Sequence, residues 1–141
     1  MKKNDCIFFQ FAKTYQLSSR FLAQKVSELN LTSVQAMVLG FLTKEDQITS
    51  RELGKRTELD SATLTGILDR LEAAEFLERK SNPDDRRSIH IHLTPKGKAM
   101  GREASRVIVE ANAEFLQVLT EEQKRDLHSI ISTLRLNVPR P

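Results

Sequence analysis

Five helix-start signals divide this chain into helical segments. Thr32 with Gln35, Thr49 with Glu52 and Thr120 with Gln123 have the spacing of a capping box, in which a hydroxyl accepts the N–H three residues on and that residue's side chain reaches back. Asp60 marks a fourth start. Thr94 before Pro95 marks a fifth, because proline at the first helical position gives up an N–H that has no partner there anyway. Apolar residues fill the segments at helical spacing. Phe8, Phe11, Tyr15, Leu22, Val26 and Leu29 predict a first helix closed at Asn30. Val34, Met37, Val38, Leu39, Phe41 and Leu42 predict a second, apolar nearly all round and therefore central. A short third helix runs through Leu53 toward Thr57, and Leu64, Ile67, Leu68 and Leu71 give the fourth a single inward stripe. Met100, Ala104, Val107, Ile108, Ala111, Phe115 and Leu119 carry the fifth through about six turns, and Leu127, Ile130, Ile131 and Leu134 mark the sixth.

Only between Leu71 and Thr94 does the period change. Phe76–Lys80 and Ile89–Leu93 read as strands around the polar loop Ser81–Ser88, with Ile89, Ile91 and Leu93 alternating against His90 and His92. The expected fold is mainly α with a small β-hairpin wing, in the order α1-α2-α3-α4-β-β-α5-α6: a winged helix-turn-helix flanked by long helices. Residues 31–94 form the expected DNA-binding region. Residues 1–30 and 95–141 form a helical dimerisation region, whose apolar stripes exceed what the small central core can cover, so a second copy of the chain is the expected cover.

The fourth helix is informative on its outward side. Opposite the apolar stripe lie Ala62, Gly66, Asp69 and Ala73, flanked by Thr63, Thr65 and Arg70, with Ser61 at the start. A solvated helix face ordinarily carries long charged side chains, and a mid-helix glycine costs about 1 kcal/mol relative to alanine. A surface this sparse suits close approach to a major groove. Arg86 and Arg87 then stand at the hairpin tip, suited to a neighbouring minor groove. The net charge is only +3, yet residues 79–102 hold seven bases against two acids. Such a local excess is the footprint of a polyanion partner, here double-stranded DNA.

Other classes are less well served. Cys6 is the only cysteine, which excludes an internal disulfide and a cysteine-based zinc cluster. His90 and His92 share a strand face without a third ligand, so no metal or other cofactor is expected. No triad pattern or glycine-rich phosphate loop points to an enzyme. No leader or membrane span is apparent, and a cytoplasmic protein is expected. Phe8, Phe9, Phe11, Tyr15 and Phe41 line either a dimer core or a ligand pocket. The rival reading is a winged-helix module for protein–protein contact, which would have no need of a basic wing and would bind with little salt dependence.

The chain resembles the MarR family of transcription regulators through Leu31-Thr32-x-x-Gln35, Leu59-Asp60-Ser61-Ala62-Thr63-Leu64-Thr65, Leu68-Asp69-Arg70-Leu71-Glu72, Asp85-Arg86-Arg87 and Ile91-His92-Leu93-Thr94-x-x-Gly97. The resemblance implies a homodimer held by α1, α5 and α6, usually a repressor, that reads an inverted repeat and leaves DNA when a small molecule or oxidant acts. It implies α4 as recognition helix, with DNA contacts from Ser61, Thr63 and Thr65, a phosphate contact from Arg70, and a minor-groove arginine at Arg87 after Asp85. Arg86 beside it is a second candidate, and Ala62 and Gly66 join the expected DNA-binding residues from the sparse face alone, Gly66 standing where many relatives carry a basic residue. Asp60–Thr65 looks most like the organic-hydroperoxide-sensing branch, whose reactive cysteine lies near the start of α1. Cys6 is near that place as a possible redox sensor, although Phe8 occupies the branch's usual spacing and only Lys2 and Lys3 are basic neighbours.

Overall fold

A computed structural model describes residues 5–140. The order is α1 (Ile7–Val26), a 3-10 turn (Ser27–Leu29), α2 (Ser33–Lys44), α3 (Ser50–Thr57), α4 (Ser61–Ala73), β1 (Leu77–Ser81), β2 (Ile89–Leu93), α5 (Pro95–Leu116) and α6 (Glu121–Asn137). The mainly helical fold with a two-stranded wing is as expected. Lys2 and Lys3 lie outside the described residues.

The caps explain where the helices begin. Thr32 with Gln35 and Thr120 with Gln123 make both halves of the capping box. Asp60 Oδ1 accepts the Thr63 N–H at 2.9 Å, and Thr94 Oγ1 accepts the Gly97 N–H at 3.0 Å. The Thr49 box is half made: its hydroxyl accepts the Glu52 N–H at 3.1 Å, but the Glu52 carboxylate takes Arg56 at 2.6 Å. An ionised partner four residues on outcompetes a backbone N–H for that carboxylate.

Three expectations need correction. The first helix stops as an α-helix at Val26, and the tight turn Ser27–Leu29 completes it before Asn30 turns left-handed at φ 55°. The first strand starts at Leu77 instead of Phe76. Phe76 belongs to the turn, since its N–H bonds Leu71 O at 2.9 Å and its carbonyl accepts Thr94 N–H at 3.1 Å. The second helix is not covered on all sides. Ala36, Val38, Leu39 and Leu42 are buried, whereas Val34, Met37 and Phe41, at steps of three and four, form an exposed stripe.

The hairpin pairs antiparallel with Leu77 opposite Leu93 and Ser81 opposite Ile89. Its other edge is also occupied: Ile91 N–H bonds Ile48 O and Gln47 N–H bonds Ile91 O, both at 3.0 Å, and Thr49 bridges His90. This extension ties the wing to the start of α3. The core runs from Val26 and Leu31 through Leu39, Leu42, Leu53, Leu68 and Leu71 to Leu77 and Ile91. Each fully buried aliphatic side chain there contributes about 1.5–3 kcal/mol relative to exposure. Close helix approach requires Gly101, where a β-carbon would stand 2.9 Å from Leu39 O. Gly97 is tighter still, with a β-carbon only 1.7 Å from Phe76 O, so the first turn of α5 rests directly on the α4–β1 turn.

The ends of the fold are uncovered. No residue of α6 is buried, and Ile130, Ile131 and Leu134 are exposed on it. On α1, Phe8 is 79% and Tyr15 71% exposed. Apolar faces of this extent are uncommon on a chain that stays alone.

Candidate nucleic-acid interface

Helix α4 buries Leu64, Leu68 and Leu71 and leaves Ser61, Ala62, Thr63, Thr65, Gly66 and Arg70 exposed. The division follows from the 100° step of the helix, which sends every third and fourth residue inward. A β-carbon at Gly66 would meet no atom within 4 Å, so nothing inside the protein requires glycine there. The hydroxyls on this face differ in availability. Thr63 Oγ1 donates to Asp60 Oδ2 at 2.6 Å and Thr65 Oγ1 donates to Ser61 O at 2.8 Å, which leaves each only as an acceptor. The Ser61 hydroxyl makes no hydrogen bond among the described residues and is free to donate. The Thr63 hydroxyl and N–H together hold the Asp60 carboxyl below its usual range, so this cap is ionised at neutral pH.

Asp69 stands exposed on the outward face, as expected, and is paired there. Its carboxylate is turned to Arg79 of β1, whose guanidinium reaches Asp69 Oδ1 at 2.6 Å and Glu72 Oε2 at 2.7 Å. Glu72 Oε1 also accepts the Arg79 backbone N–H at 3.0 Å. Arg79 thereby holds the Glu72 carboxyl below its ordinary range, and its own pKa is raised in return. The acid on α4 is therefore neutralised from within, and the same three groups brace the helix against the wing strand.

The wing tip is a closed hydrogen-bonded turn. Asn82 N–H bonds Ser88 O at 2.9 Å, Asn82 Oδ1 accepts Asp84 N–H at 3.0 Å, and Ser88 N–H bonds Asp85 O at 2.9 Å. Asp85 Oδ1 accepts the Arg87 N–H at 3.0 Å. The acid thus fixes the backbone that carries the arginine and leaves the guanidinium alone. Arg86 and Arg87 are exposed and form no ion pair among the described residues. Most of the other bases in the basic segment are already committed. Arg79 is braced as described, Lys80 pairs with Glu78 at 3.0 Å, Lys96 lies 3.9 Å from Glu75, and Lys98 lies 3.4 Å from Asp46. Within residues 79–102, the positive charge free to meet an external anion is left at Arg86, Arg87 and Arg102.

Two bases were missed in the sequence. Arg51 and Lys55 lie one turn apart on α3, both exposed, and line with Ser61 and Thr65 a cleft of about 910 Å³ between α3 and α4. Their four-residue spacing was the available signal. Arg56 beside them is consumed by Glu45 and Glu52. Cys6 is the partly exposed N-cap of α1 and makes no side-chain capping bond. His90 and His92 lie edge to face at 6.5 Å on β2. Among the described residues no helix is long and apolar enough to cross a membrane.

The family model described as MarR family matches residues 29–88, from the end of the first helical segment through the wing tip. Over 88 residues the chain is 35% identical to the HTH-type transcriptional repressor NicR of Pseudomonas putida, a match covering 62% of this chain and 56% of NicR. Over 137 residues it is 28% identical to the HTH-type transcriptional regulator SarZ of Staphylococcus aureus, covering 94% of this chain and 89% of SarZ. A solved structure of a MarR mutant from E. coli complexed with operator DNA is similar at a TM-score of 0.84 and 26% identity, over 97% of each chain.

Proposed function

We infer from the family match over residues 29–88 and the similarity to SarZ and to the DNA-bound MarR structure that the chain is a DNA-binding transcription regulator of the MarR family, and we propose that it acts as a cytoplasmic homodimeric repressor. Each protomer places α4 in a major groove and Arg87 in the adjoining minor groove, with the two α4 helices about 34 Å apart on an inverted repeat. The observation that carries this reading is the sparse face of α4, open at Gly66, beside two wing arginines that form no ion pair among the described residues. Dimerisation is supported by the uncovered apolar faces of α1 and α6. The protein works by binding and not by catalysis. A small molecule or oxidant releases it by favouring a different spacing of the two α4 helices, since an effector shifts an equilibrium only through differential affinity for its two states.

The test is fluorescence-anisotropy binding to duplex DNA from upstream of the protein's own coding sequence, with unrelated competitor DNA, before and after an organic hydroperoxide. Specific binding by a dimer is expected. Loss on oxidation that Cys6→Ser prevents assigns the signal to the thiol, and indifference to oxidant assigns it to a small-molecule ligand. Absence of specific binding, or salt-independent association with proteins only, overturns the reading in favour of an interaction module.

A further inference from the structure

The α3–α4 cleft holds more positive charge than the helix-turn-helix alone supplies. Arg140, on the segment that follows α6, is brought across the fold to line it together with Arg51, Lys55, Ser61 and Thr65. Arg51, Lys55 and Arg140 are all exposed and form no ion pair among the described residues. Of the two acids of the cleft, one is ion-paired and the other keeps its charge as a helix cap. Glu58 accepts from Arg135 of α6 at 2.5 Å, a contact that also anchors the segment bearing Arg140, and Asp60 is held by Thr63. Three unpaired guanidinium and ammonium groups around one opening, with a free Ser61 hydroxyl at its edge, make a site for a phosphodiester. The cleft shares Ser61 and Thr65 with the exposed face of α4, so an anion held there is continuous with DNA lying on that helix.

We propose that Arg140, with Arg51 and Lys55, forms a second DNA-phosphate site at the α3–α4 cleft, so that the segment after α6 is part of the DNA interface. This rests on the DNA-binding reading above and adds residues from the helical end of the chain to it. A backbone contact of this kind adds affinity and sets register without reading sequence.

The test compares wild type, Arg140→Ala, Arg140→Lys, the double variant Arg51→Ala with Lys55→Ala, and Arg87→Ala in anisotropy titrations on the same upstream duplex from 50 to 300 mM salt. Each lost phosphate contact reduces the slope of log K against log salt by about 0.9, hence by about 2 for a dimer. Arg140→Ala is expected to weaken specific and non-specific DNA alike by about tenfold, with an unchanged melting temperature and oligomeric state, and Arg140→Lys to restore most of the slope. An Arg140→Ala protein that keeps the wild-type affinity and slope while Arg87→Ala loses both overturns the second site and leaves the DNA-binding reading intact. Wild-type protein that binds no DNA overturns both.

Discussion

Gly66 offers a substitution in which stability and function are expected to move in opposite directions. It lies in the middle of α4, exposed, with no atom within 4 Å of where a β-carbon would stand. Replacing it with alanine therefore costs nothing sterically and recovers the helix-propensity penalty of glycine, about 0.8–1 kcal/mol. For a chain of this size that corresponds to a rise in melting temperature of about 2–4 °C. Leucine keeps most of the gain, because its helix propensity is close to that of alanine and its side chain points into solvent. On DNA the order reverses. A leucine reaching outward from the centre of the recognition face holds the helix away from the base edges, so Gly66→Leu is expected to abolish specific binding and Gly66→Ala to weaken it. Urea unfolding at fixed protein concentration measures the first effect, and anisotropy on specific and competitor duplexes the second. Gly66→Leu protein that binds the specific duplex with wild-type affinity refutes the docking, and a loss of stability on Gly66→Ala refutes the assignment of an open face.

Further expectations follow from the same geometry. Arg87→Ala is expected to weaken DNA binding by about 1–3 kcal/mol and to flatten its salt dependence, as read from titrations at several salt concentrations; Asp85→Ala, which frees the backbone N–H of Arg87, is expected to weaken binding in the same direction with Arg87 still present. Gly97→Ala is expected to have the opposite sign to Gly66→Ala. Its β-carbon would lie 1.7 Å from Phe76 O, and a backbone shift costing about 3 kcal/mol outweighs the gain in helix propensity, as thermal unfolding would record. Glu72 has its pKa lowered in the folded state by Arg79, so its stabilising contribution is complete above the ordinary carboxylate value of 4.5 and is lost as the pH falls through and below it. Glu72→Gln is expected to flatten the acid limb of a stability-versus-pH curve, and an unchanged limb would place the loss in other carboxylates.

What the sequence by itself determined was local. Capping at Thr32, Asp60, Thr94 and Thr120 depends on hydrogen bonds spanning three residues, and the inward stripe of α4 depends on a fixed angle per residue, so both are written in short spacings. The sparse face of α4 and the exposed arginines of the wing were legible for the same reason. Which charges remain free was decided by the tertiary structure. Asp69 stands on the outward face as its angle requires, yet Arg79 pairs with it from ten residues away; Lys80 and Lys98 counted with Arg87 in composition but have acids beside them in space. The link between Ile48 and β2, the exposed stripe of α2 and the arrival of Arg140 beside Lys55 also join residues far apart in the chain. Whether a charge is available or a side chain covered depends on distances of a few ångströms between elements, because ion pairing and burial fall away beyond contact. Those distances exist only once the helices have packed.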